Sequence, residues 1–175
     1  STKGIRIYAE NHQITNNYFL GVSRVNIEIG AGSPGYQTCR NIIVSNNTMI
    51  HPGTYAFTVG SDYSEWYGMT QGLVEYPEDI TFANNVVVSN ANSGVILDKG
   101  ARTQYISNVF GMKDGFNLAV DKDGKLIESE GNYKEKLIVG IPTLDQLIIN
   151  VANTEKLINK GSFIDGFRNK IDIEG

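Results

Sequence analysis

The chain has 175 residues, enough to bury the core of one domain. Its 15 basic and 19 acidic residues give a formal charge of -4, so there is no global attraction to nucleic acid or anionic lipid, and an anionic ligand would need a local basic patch. No apolar run approaches the roughly 18 residues that cross a bilayer, and the single cysteine, Cys39, cannot form an internal disulfide and is expected to be a small buried residue.

The chain opens on Ile5-Arg-Ile7-Tyr8, a short alternating strand, and reads as a mature piece or fragment of a longer polypeptide. Next comes Ile14-Thr-Asn-Asn17-Tyr-Phe19, the first copy of the motif apolar-x-Asn-(Asn)-x-apolar. It returns as Val44-Ser-Asn-Asn47-Thr-Met49, Phe82-Ala-Asn-Asn85-Val-Val87 and Ile106-Ser-Asn108-Val-Phe110. A solenoid follows from such a repeat. With Asn17, Asn47, Asn85 and Asn108 equivalent, the intervals are 30, 38 and 23 residues. The shortest approximates one bare coil, and the longer two carry insertions at 31–39 and 60–78.

Strands with period-two alternation lie between the asparagine motifs. The pattern points Ile5 and Ile7, then Val25, Ile27 and Ile29, then Phe57 and Val59, Val95 and Leu97, and Phe116, Leu118 and Val120 inward. A one-residue slip would bury Arg6, Asn26 and Glu28 together, which fixes the register. Each repeated asparagine, with amide donors and an acceptor, can bridge to the same position in the next coil. Such a ladder makes Asn47→Ala more costly than Asn41→Ala, Asn41 being expected to be exposed.

Past Asn117 the rhythm fades. Asp121-Lys-Asp123-Gly124 resembles the start of a calcium loop but lacks its later ligands, and reads as a polar turn. From Thr143, a capping box with Gln146 precedes Leu144, Leu147, Ile148, Val151 and Leu157 at helical spacing. The same stretch also fits an irregular strand pair. The fold expected is therefore all-β: a right-handed parallel β-helix over 1–125, with an irregular cap, helical or stranded, over 126–175 of the same domain.

In this register Arg6 and Tyr8 share an outer face with Arg24, Asn26, Glu28 and Thr58, and Asp98 and Asn117 come further along. Guanidinium grips a carboxylate in a bidentate fork and an aromatic ring packs on a sugar face, so the surface suits a sugar acid. Tyr63 and Trp66, in the second insertion, would wall such a groove. His12 and His51 stand alone and are expected to be structural, and no nucleophile motif or phosphate loop is present.

The runs GIRIYAENHQITNNYFLGV, SRVNIEIGAGSPG, NIIVSNNTMIHPGTYAFTVGSD and ITFANNVVVSN resemble polysaccharide lyase family 6, the family of alginate lyases and chondroitinase B, over about residues 3–112. The resemblance implies a right-handed parallel β-helix in an extracellular or periplasmic protein that cleaves an acidic polysaccharide by β-elimination. Calcium neutralises the uronate in the complete family enzyme. The family's catalytic lysine, arginine and calcium ligands come from coils before the Gly-Ile-Arg-Ile strand, so no catalytic residue and no metal ligand is assigned to this chain. Tyr8 matches a family aromatic, Arg24 a substrate-binding arginine, and Arg6 the alginate-lyase-like Gly-Ile-Arg-Ile. The loop with Tyr63 and Trp66 replaces a basic loop of chondroitinase B, which favours an alginate-like polymer over a sulfated one. A non-catalytic glycan-binding or adhesin-like β-helix, and a hydrolase pairing Glu28 with Asp98, are the alternatives. An uncapped first coil also offers a surface for self-association.

Overall fold

The computed structural model describes residues 3–31, 38–50, 53–61, 75–89 and 96–112, with short pieces at 120–121, 133–135, 138–139 and 151–152. Every regular element among the described residues is a strand. A first sheet joins β1 (Lys3–Ile7), β4 (Val25–Gly30), β7 (Tyr55–Ser61), β10 (Ile96–Asp98) and β13 (Val120–Asp121), in that order. A second joins β2 (Gln13–Thr15), β5 (Arg40–Ser45), β8 (Glu78–Ala83) and β11 (Gln104–Ile106). The third joins β3 (Tyr18–Leu20), β6 (Thr48–Ile50), β9 (Val86–Ser89), β12 (Val109–Met112) and β14 (Tyr133–Glu135). All pairings within these three sheets are parallel, and up to β12 the chain visits the sheets in strict rotation. β14 extends the third sheet, pairing in parallel with β12.

Register places like on like. Ile5, Ile27, Phe57 and Ile96 pair in one row of the first sheet. Ile14, Val44, Phe82 and Tyr105 line up in the second, and Phe19, Met49, Val87 and Phe110 in the third. All of these except the partly buried Ile5 belong to one buried cluster. The rings of Phe57 and Phe82 lie 4.2 Å apart, and Phe82 stacks on Tyr105 at 5.2 Å, so aromatic faces carry contact from turn to turn. Cys39 is buried in the same cluster, as expected, and its thiol donates to the Ile7 carbonyl at 3.3 Å; burial pushes the thiol pKa up.

The asparagine motifs coincide in space. Asn17 donates from its backbone N–H and from Nδ2 to Oδ1 of Asn47, both at 3.0 Å. Asn47 repeats the pair of bonds to Asn85, both at 3.0 Å, and Asn85 repeats it to Asn108 at 3.0 and 2.9 Å. Each amide also reaches main-chain carbonyls: Asn47 Nδ2 those of Ile14 and Ser45, Asn85 Nδ2 that of Val44, and Asn108 Nδ2 that of Phe82. Asn47, Asn85 and Asn108 are buried, so these bonds replace water fully.

The residue just before each rung turns the corner with positive φ: Asn16, Asn46, Asn84 and Ser107 at 55°, 54°, 54° and 50°. A second corner uses Asn11, Asn41, Asp79 and Arg102 at 59°, 54°, 56° and 57°. Asparagine and aspartate tolerate this left-handed region better than other side chains do, which explains their repetition. Asn41 belongs to this second corner. It is exposed, but its left-handed backbone and its 3.2 Å bond to Asn11 give an alanine there a cost.

Two expectations need correction. Leu97 was expected to point inward, yet it pairs with Thr58 while Ile96 pairs with Phe57 and Asp98 with Val59, so Ile96 and Asp98 are the buried pair. The interior accepts Asp98 because its carboxyl receives the Tyr105 hydroxyl at 2.8 Å, the Gly100 N–H at 2.7 Å and the Thr103 hydroxyl at 3.3 Å. Burial and the neighbouring Asp98 push the Tyr105 phenol pKa well up, which keeps it a donor. Val151, expected on a helix, lies in β16 (Val151–Ala152), which pairs antiparallel with β15 (Ile138–Val139). This is the strand-pair alternative at that point. Thr143, Leu144, Gln146, Leu147, Ile148 and Leu157 lie outside the described residues, as do Val95, Phe116, Asn117, Leu118 and Asp123.

Candidate functional site

The side of the first sheet opposite the core gathers the charged residues singled out in the sequence. Arg6 pairs in register with Glu28, and Glu28 with Thr58. The Glu28 carboxylate is held from two sides, by Lys3 Nζ at 2.5 Å and by Arg6 Nε at 2.8 Å. Arg6 also donates through NH2 to the Tyr8 hydroxyl, and its guanidinium lies 4.6 Å from the centre of the Tyr8 ring. The Tyr8 ring in turn packs on Gly30, where a Cβ would fall 2.0 Å from Cε1 and force the ring away. Burial works against the Arg6 charge, but the hydrogen bond to Tyr8 and the charge of Glu28 outweigh it and raise its pKa. Lys3, Arg6, Tyr8 and Glu28 therefore form one connected group rather than separate surface side chains.

The outer face differs from the expectation in exposure. Glu28 and Thr58 keep only 3% of their surface and Asn26 none. For Glu28 the two covering cations are the reason. Asn26 sits one register step away between Gly4 and Ala56, and neither amide atom finds a hydrogen-bond partner; Thr58 Oγ1 is likewise unpaired. A buried hydroxyl without a partner costs about 1–3 kcal/mol. Replacement by an isosteric β-branched residue should remove that penalty. Thr58→Val is expected to raise stability by about 1 kcal/mol in a urea melt, whereas a loss of stability would show that the hydroxyl is bonded.

Arg24 stands apart from the group. It immediately precedes β4, is exposed, and its guanidinium makes no ion pair among the described residues. Tyr63 and Trp66 lie outside the described residues. Glu28 and Asp98 do not form a carboxylate pair, because Asp98 faces the core in register with Val59 whereas Glu28 lies on the opposite side of the sheet. His12 is exposed and contributes its carbonyl to the Ile43 N–H, and His51 lies outside the described residues.

Lys3 was missed in the sequence because alternation gives it the parity of Ile5 and Ile7, yet its long stem carries Nζ to Glu28. A second missed feature is the charged corner at the start of the second sheet. Arg102 binds Asp79 at 2.7 and 2.9 Å and Glu78 at 2.8 Å, and Arg40 lies within 3.6 to 4.0 Å of Glu10, Glu78 and Glu75. The hydrogen bonds from Arg102 hold the Asp79 carboxyl below the usual carboxylate range. The spacing that marks the asparagines would have found this corner, had it been applied to every residue. With four acids to two arginines the corner repels anions, whereas on the first sheet two cations, Lys3 and Arg6, close on one carboxylate, Glu28, among the described residues.

Calcium, implied by the resemblance for complete family enzymes, finds no cluster of three or more acidic, histidine or cysteine side chains among the described residues, and the Glu28 carboxylate is already engaged by two cations. No helix among the described residues is long and apolar enough to cross a membrane. Comparison with known proteins matches this chain to no family model, no curated protein and no solved structure.

Proposed function

We propose that the three parallel sheets are the faces of a right-handed parallel β-helix, and that the first sheet's outward side binds an acidic, alginate-like polyuronate as part of an extracellular or periplasmic polysaccharide lyase. The observation that carries this reading is charge. Two cations, Lys3 and Arg6, close on the one carboxylate of Glu28, and a third, Arg24, stands exposed just before β4 of the same sheet, on a chain whose formal charge is -4. Such a patch attracts a polyanion locally where the whole molecule does not.

Arg24 is the residue best placed to take a uronate carboxylate, because its guanidinium is exposed and uncommitted among the described residues. Arg6 and Lys3 contribute positive potential while remaining anchored on Glu28. Tyr8, braced between Arg6 and Gly30, offers an aromatic surface fixed in orientation. In a β-elimination, neutralising the uronate carboxylate makes the adjacent C5 proton removable, and cations at this face act in that sense. The residues that take the C5 proton and protonate the leaving oxygen are assigned to no position of this chain.

Arg24→Ala is expected to weaken binding of a polymannuronate or polyguluronate oligosaccharide about tenfold, the worth of a charged hydrogen bond, with the melting temperature unchanged. Titration calorimetry beside a thermal melt reads both. Unchanged affinity, or a fall in stability with no change in affinity, would overturn the assignment.

A further inference from the structure

The three sheets differ on the sides they turn away from the core. On the first sheet that side carries Arg6, Glu28 and Thr58, and on the second Gln13, Ile43, Thr81 and Gln104. On the third it carries Tyr18, Leu20, Ile50, Val88 and Val109, and β3, β6, β9 and β12 contain no charged residue. Ile50 keeps 1% of its surface, Val88 2% and Val109 5%, although none of them belongs to the core cluster. Stacking alone does not achieve this. Ile43 also lies between register neighbours, Gln13 and Thr81, on the outward side of its sheet, yet it stays partly exposed. An apolar cover therefore lies across the outward side of the third sheet.

We infer that the cover is the antiparallel pair of β15 and β16, seated on Ile50, Val88 and Val109. Its composition requires a partner. The paired positions are Ile138 with Ala152 and Val139 with Val151, all apolar, and a two-stranded ribbon by itself is at best marginally stable in water. The connection sets its place. Glu135, which ends β14, is in register with Gly111, and Gly111 with Val88, so Val88 lies two strand spacings away, about 10 Å. From Glu135 to Ile138 the chain takes three steps of about 3.8 Å, a reach of about 11 Å. Of the surfaces within that reach, the core row beyond Phe110 continues with Lys134, whereas the outward side offers valine and isoleucine. An apolar ribbon is accommodated on the second of these, at the spacing of about 10 Å at which one sheet packs on another.

Double-mutant cycles in the full chain test this seat. Val88→Ala is combined with Ile138→Ala and, separately, with Val139→Ala, neighbours that alternation places on opposite sides of the ribbon, and urea midpoints are compared. With one of the two, the double variant is expected to lose clearly less midpoint than the sum of the single losses, because their contact is lost only once. Thr81→Ala, on the outward side of the second sheet, is expected to add to both. Additivity of Val88→Ala with both ribbon positions, or equal coupling from Thr81→Ala, would overturn the inference. Val88→Asp gives a second readout by setting a charge beneath the ribbon. Tryptic cleavage after Lys136, between β14 and β15, is expected to accelerate about tenfold with cleavage elsewhere unchanged. Unchanged cleavage at Lys136, or equal acceleration along the whole chain, would contradict the seat. A parent dimer that Val88→Asp converts to monomer with no faster cut at Lys136 would give this face to a second copy.

Discussion

Asn47→Ala is expected to destabilise the protein by about 3 kcal/mol, read as a fall in the urea midpoint at unchanged slope. The side chain is nearly fully buried, and its Oδ1 accepts from two groups of Asn17 while its Nδ2 donates to Asn85, Ile14 and Ser45. Truncation strands polar groups on both neighbouring turns, and each buried group left unpaired costs about 1–3 kcal/mol. Asn41 provides the contrast once its backbone is respected. Asn41→Ala should cost about 1 kcal/mol through its left-handed φ of 54°, and Asn41→Gly should cost less. Equal and negligible losses for Asn47→Ala and Asn41→Gly would remove the ladder as a source of stability.

Phe82→Ala is the other change with a large expected effect, a loss of about 3–5 kcal/mol. Phe82 is fully buried, with the Phe57 ring at 4.2 Å on one side and the stacked Tyr105 ring at 5.2 Å on the other, so truncation opens a cavity between two consecutive turns. It also loosens Tyr105, whose hydroxyl satisfies the buried Asp98. Phe82→Leu keeps most of the volume and should cost well under half as much. Thermal melts of the two variants check this, and similar small losses for both would mean that the aromatic column is not close-packed.

The asparagine column was legible because its chemistry is specific: an amide both donates and accepts, and four copies in matched strand contexts define the turn length without reference to packing. Alternation placed β1, β4 and β7 correctly on the inside, since Arg6, Asn26 and Glu28 alternate cleanly with isoleucine and valine. It failed at β10, where Val95-Ile-Leu97 is a run of three apolar residues and has no parity of its own. Only the bonds from Tyr105, Gly100 and Thr103 to Asp98 decide which way that strand turns, and they join residues that period-two counting treats as unrelated. The β14 pairing is hard to read in the sequence for a similar reason. Tyr133 pairs with Val109, and in the sequence Asn132 precedes Tyr133 just as Asn108 precedes Val109, but the strong apolar signal of the earlier motifs is missing there. At the candidate site, the face of Arg6, Tyr8 and Glu28 could be read from register. The closure of Lys3 and Arg6 over Glu28 could not, because a carboxylate's burial depends on where two long side chains come to rest.

Residues distant along the backbone lie over one another in a column of amides. Double-mutant cycles on the rungs test it most directly. Adjacent pairs, Asn17 with Asn47, Asn47 with Asn85 and Asn85 with Asn108, should show coupling energies of about 0.5–3 kcal/mol, while Asn17 with Asn108 should be additive within about 0.5 kcal/mol. Coupling that ignores this order, or additivity throughout, would contradict the stacked arrangement.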